Sequence, residues 1–128
     1  MEIKLFVKTN QGAFDRACRR LFDGTGRAVS NNTLSCMYRS PYGNKCVIGD
    51  MMPDKYYSPE FETMSWFGLK TFYNGNINNR LLSELQNVHD SSSFWYGNKI
   101  NDRGVQSLRD IAAQYDLNTK VLDKLWNL

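Results

Sequence analysis

The sequence predicts an α+β fold: a single compact domain, residues 1–128, with about four helices and a few short strands. Three observations carry this. Four stretches space their apolar residues as helices do. Short alternating or strand-like runs lie between them. No repeat, low-complexity tract or linker divides the chain, and 128 residues suit one core.

Residues 2–7, Glu-Ile-Lys-Leu-Phe-Val, alternate as a strand. Thr9 or Asn10 caps a helix running to about Asp23, with Phe14, Ala17, Cys18, Leu21 and Phe22 on its apolar face. Gly24-Thr25-Gly26 stops it, and 29–34 reads as a loop. Residues 34–38 and 45–48 are strand-like and flank Pro41 and Gly43, so a hairpin is expected near 35–48. Residues 54–59 form an ordered loop. Residues 61–73 are apolar all round and read as a short buried helix or an irregular packed segment. After Asn74-Gly75-Asn76, a helix covers Asn78–His89, with Leu81, Leu82, Leu85 and Val88 in one stripe. Phe94-Trp95-Tyr96 is an aromatic patch. Asp102 caps a further helix carrying Val105, Leu108, Ile111, Ala112 and Tyr115, and Asn118 or Thr119 starts the last one.

Composition narrows the function classes. At 41% hydrophobic and 13% aromatic, the chain can build a core. No apolar run approaches the roughly 20 residues of a membrane span. The first eight residues do not resemble a secretory signal. The expectation is a cytoplasmic protein without membrane association, its three cysteines (Cys18, Cys36, Cys46) free thiols. The net charge of +3 lies wholly in the first 30 residues, while residues 50–62 carry a local −3. Such a domain has a directional field. It is too weakly basic, and too poor in reading motifs, for nucleic acid to be the favoured partner.

Several chemistries are open to these residue types. Cys36 and Cys46 with Cys18 and His89 could supply zinc ligands, but there is no C-x-x-C pair and only one histidine, so no metal is assigned. Asp50, Asp54, Glu60 and Glu62 match no calcium loop. If the protein is an enzyme, Cys46 is the candidate nucleophile, with Cys36 an alternative, His89 its base and Asp90, or else Asp54, the orienting acid. Arg39, Lys45 and Tyr56 suit a phosphorylated or nucleotide ligand. For a protein partner the candidates are Arg16, Arg19 and Arg20 on the first helix, Tyr42 at the predicted hairpin tip, and Trp95. No cofactor is implied.

The most specific signal is the run Cys36-x-Tyr-Arg-x-Pro-x-Gly-x-Lys-Cys46-x-Ile-Gly-x-x-x-Pro-Asp-x-Tyr-x-x-x-Glu60, followed by Leu85-Gln86 and His89-Asp90. This pattern resembles small uncharacterised proteins of phage genomes and some bacteria, over about residues 34–116. Met52 stands where those proteins more often carry Ile. The resemblance implies a phage origin and a shared site and transfers no reaction. Together with the small single domain and the lack of a catalytic signature, it leads to the expectation of a phage accessory protein that binds and modulates a host factor in the host cytoplasm, for instance as a counter-defence inhibitor, without catalysis. The alternative is a small nucleotide-binding or nucleotide-cleaving enzyme using the Cys36/Cys46 hairpin and His89.

Overall fold

The structure is a computed structural model and describes residues 1–31 and 35–127. It is α+β and mostly helical. The elements are α1 (Asn10–Leu21), α2 (Val47–Met51), α3 (Trp66–Leu69), α4 (Asn79–Asp90), β1 (Trp95–Tyr96), β2 (Lys99–Ile100), α5 (Asp102–Gln114) and α6 (Lys120–Trp126). Single 3₁₀ turns at Asp54–Tyr56, Pro59–Thr63, Lys70–Phe72 and Ser92–Phe94 connect them. One hydrophobic core joins all the α-helices. Phe14, Leu21, Ile48, Phe61, Leu69, Leu81, Leu85 and Leu108 are its largest sealed members.

Each longer helix starts on a polar cap. Thr9 accepts from the Gly12 amide, Asn78 from Arg80 and Leu81, and Asn101 from Gly104, satisfying donors that have no partner inside the helix. Helix α1 lies against α2, α4 and α6, and α4 against α5. Helix α5 ends at Gln114, Tyr115 caps it, and Asp116 takes a left-handed φ of 55° to turn the chain toward α6.

Strands are sparser than the sequence alone indicates. Residues 2–7 do alternate, with Ile3 and Leu5 buried and Glu2, Lys4 and Phe6 exposed. Yet the segment makes one parallel bridge, Ile3 to Tyr73, and one bond from the Phe6 amide to the Met51 carbonyl. It is an extended strap across the core. The two-stranded sheet β1–β2 pairs Trp95 with Ile100 and Tyr96 with Lys99 around Gly97, whose φ is +61°.

The chain does reverse near 35–48, with Arg39 bridging Lys45 in antiparallel sense and the Ser40 amide bonding to the Asn44 carbonyl. The second arm then leaves the strand path. Cys46 caps α2, its sulfur accepting from the Gly49 amide at 3.3 Å. Residues 47 and 48 are therefore helical, where the residue types alone favour a strand. Gly49 permits this: a Cβ there would overlap the Tyr38 carbonyl oxygen. The helix turn thus packs directly on the first arm. The expected loop at 29–34 lies partly outside the described residues. The alanine variant Gly49→Ala should lower stability by about 2–3 kcal/mol, a strong overpacking penalty, read as a shift of the urea midpoint.

Candidate functional site

The motif region is braced from within. The Arg39 guanidinium donates to Asp54 Oδ1 at 2.6 Å and to the Met52 carbonyl at 2.7 Å, and it lies 4.4 Å from the centre of the Tyr57 ring. The Glu62 carboxylate accepts from the Tyr38 amide (2.9 Å), the Arg39 amide (3.1 Å) and the Tyr57 hydroxyl (2.6 Å). Tyr38 itself donates to the Met64 carbonyl. Burial, and then the Glu62 carboxylate, push the Tyr57 phenol up to about 12. Most of the acidic block at 50–62 is thereby engaged: Asp50 pairs with Arg16, Asp54 with Arg39, and Glu62 closes the loop.

Helix α4 supplies the second brace. Gln86, His89 and Asp90 are spaced i, i+3, i+4 and so share one side of the helix. Gln86 accepts from the Ile48 amide at 3.0 Å and donates to Asp90 Oδ1 at 2.9 Å. His89 is completely buried. Its Nε2 accepts from the Ala28 amide at 2.9 Å, and its Nδ1 lies 2.7 Å from Asp90 Oδ1. A backbone N–H only donates, so Nε2 holds the lone pair and Nδ1 carries the proton. The ring is thus neutral, and burial lowers its pKa against the opposing pull of Asp90. Trp95 donates to the His89 carbonyl at 2.9 Å and packs edge-on to the ring.

This wiring decides what the cysteines and histidine can do. Cys46 is fully buried, and desolvation pushes its thiol up to about 12. His89 and Asp90 are adjacent, as a base and its orienting acid would be. However, the ring nitrogen that would take a proton from a thiol already accepts from Ala28. Cys36 is half-buried. Its thiol lies 3.8 Å from the Asp90 carbonyl, and Arg27 donates to its sulfur at 3.5 Å. Burial raises its pKa too, with the Arg27 hydrogen bond opposing.

Ligand atoms of Cys36, His89 and Asp90 fall within 4.8 Å of one another, the Cys36 alternative of the predicted Cys–His–Asp set. A metal on His89 Nδ1 would move the ring proton to Nε2, face to face with the Ala28 N–H. The Arg27 guanidinium beside the sulfur would repel the cation as well. The trio does not suit a metal ion.

The remaining predicted residues divide between surface and interior. Tyr42 is 71% exposed at the tip of the reversal. It shares an open cleft of about 470 Å³ with Lys45 and Asn44. A neighbouring cleft of about 490 Å³ is lined by Arg16 and Arg19, and the two clefts share Arg20, Asp23 and Asp50. Arg16 donates to Asp50 at 2.9 Å and lies over the exposed Phe6 ring. Arg20 is buried and tied to the Lys45 and Gly26 carbonyls and to Asp23. Trp95 is buried. Arg19 and Lys45 have no carboxylate or hydrogen-bond partner for their charges among the described residues. Arg39 and Tyr56 do not line the Lys45 cleft. Lys55 lies 5.1 Å from the centre of the Tyr56 ring.

No family model, curated protein or solved structure matches the chain. Among the described residues, no helix is long and apolar enough to cross a membrane.

The histidine wiring sets a pH dependence. The unfolded chain takes up a proton near the ordinary histidine pKa of about 6.5, whereas the folded ring resists it. The stability that His89 contributes is therefore present above about pH 6.5 and declines as pH falls toward the depressed folded value. Thermal melts between pH 8 and 5 should show this decline, and His89→Gln should flatten it. An unchanged slope in the variant would assign the dependence to other groups.

Proposed function

We propose that the protein acts without catalysis, as a phage-type accessory protein that binds a host factor and modulates it. The observation that carries this reading is the engagement of His89. Its Nε2 is committed to the Ala28 amide, so the Cys–His–Asp constellation has no free base. The motif resemblance supplies the phage setting.

The face that best supports a partner holds Tyr42, Lys45 and Arg19. It combines an exposed aromatic anchor with two unpaired cations. Aromatic and basic side chains of this kind concentrate binding energy at interfaces. Both cations project from a rim already held by the Arg16–Asp50 and Arg20–Asp23 pairs. Asp15 lines the same cleft as Arg19, so the two clefts together hold four cations and three carboxylates, a slight positive excess that favours an acidic partner surface. Long-range attraction of this type accelerates association and weakens with salt.

A photo-crosslinking residue at position 42 should join the protein to one host polypeptide. The double reversal Arg19→Glu/Lys45→Glu should weaken that complex by about 100-fold, and Tyr96→Ala, an exposed aromatic change outside both clefts, should leave it unchanged. Equal crosslinking from positions 42 and 96, or indifference to the charge reversal, would remove the support for this face.

A further inference from the structure

Asn74 is the one asparagine in the sequence that is followed by glycine. The pair lies in a short bow of chain held at both ends. Before it, Tyr73 bridges Ile3, and the Ile3 amide donates to the Phe72 carbonyl at 2.9 Å. After it, the Ile77 amide donates to the Tyr73 hydroxyl at 3.2 Å, and the Asn78 amide donates to Asn10 Oδ1 at 2.9 Å. Between these anchors Asn74, Gly75 and Asn76 are all exposed. The Asn74 side chain and the Gly75 amide have no hydrogen-bond partner among the described residues.

Gly75 makes this asparagine reactive. Without a Cβ, its amide nitrogen is unshielded and its backbone turns freely. The packing also requires glycine here, because a Cβ would overlap the Tyr73 hydroxyl and ring. That hydroxyl receives the Ile77 amide, so it does not move aside without loss of an anchor. The contact that closes the bow therefore fixes the residue type that leaves the Asn74 side chain open to attack.

We propose that Asn74 is a site of self-modification, at which the Gly75 amide nitrogen attacks the Asn74 side chain and a carboxylate results. The nitrogen gives up its proton and bonds to Cγ, the Cγ–Nδ2 bond breaks, and Nδ2 leaves as ammonia. The five-membered succinimide so formed takes up one water. Opening at Cγ gives aspartate. Opening at the Asn74 main-chain carbonyl gives isoaspartate, in which the backbone runs through the former side chain. Water is the sole co-reactant. The product carboxylate lies at a cavity of about 250 Å³ lined also by Lys4 and Lys8, with Glu2 the one acid lining it among the described residues. Each conversion lowers the net charge by one, and charge changes of this kind alter local pairing as other covalent modifications do. The site does not involve Tyr42, Lys45 or Arg19 and does not rest on the reading given to that face.

The test incubates the full chain at about pH 8 and 37 °C, digests it with trypsin, and follows the peptide 71–80 by mass spectrometry, fragment ions locating the change among its asparagines. A parallel incubation in guanidinium chloride gives the rate of the unfolded chain. Asn74 should gain about 1 Da in two chromatographically distinct products, at a rate within about 30-fold of the unfolded rate. Asn74→Asp supplies the standard that identifies the aspartate product. Asn74→Gln, which must close a larger ring, should react at least about 100-fold more slowly while folding as before, since position 74 is exposed. A folded rate more than about 30-fold below the unfolded one would overturn the inference, because the reaction would then need the bow to open first. Preferential conversion of any other asparagine, or an undiminished rate in Asn74→Gln, would overturn it as well.

Discussion

The structure depends on one exchange. Amides that neither a sheet nor a helix satisfies, one in the 22–31 segment and one in the first turn of α2, give their protons to side chains on helix α4. Helices satisfy their own backbone, and a two-residue-per-strand sheet satisfies little more. The amides of Ala28 and Ile48 lie beneath the surface and need acceptors. His89 and Gln86 provide them, and Asp90 holds both side chains in the orientation required. Glu62 does the same for Tyr38 and Arg39. These bonds fix a segment that hydrophobic packing alone would leave free to slide.

The same exchange explains why a set of reactive residue types shows so little reactive geometry. Cys46, His89 and Asp90 are each drawn into the scaffold by a specific partner. A histidine that accepts from a backbone amide is held neutral and in one tautomer, which is useful for rigidity and unhelpful for shuttling protons. A fully buried thiol resists ionisation for the same reason that burial stabilises its apolar neighbours. What stays accessible lies at the edges: the tip of the 39–45 reversal and the outer side of α1.

Much of this was legible in the sequence, and the failures have physical causes. Helices α1, α4, α5 and α6 follow from apolar periodicity and capping residues, because those signals are local. The helical turn at 47–51 does not, because Val47 and Ile48 favour a strand, while the Cys46 cap, the Gln86 acceptor for the Ile48 amide and the close approach of Gly49 to Tyr38 support a helix. The β1–β2 hairpin had a signal, the Gly97-Asn98 pair between short runs, which the aromatic character of residues 94–96 obscured. Arg20 and Trp95 are polar-tipped residues whose tips find partners inside. Residue type indicates that such groups need partners but not where those partners lie. The convergence of Cys36 with Asp90 joins two distant segments, which no spacing rule relates.

The bonds that brace the motif also bear on how the chain reaches this state. They span 24 residues from Tyr38 to Glu62, 38 from Ile48 to Gln86, and 61 from Ala28 to His89. Closing loops of that length costs entropy before any hydrogen bond is gained. The long helices can form and pack through their apolar faces without these bonds, whereas the braced segment has no comparable local structure of its own. Its order therefore depends on the docked helices, and because Ile48, Met51 and Met52 are sealed in the same core, it does not open without exposing that core. The exposed tip at Tyr42 is thus carried on a segment anchored in the core and not on a free loop.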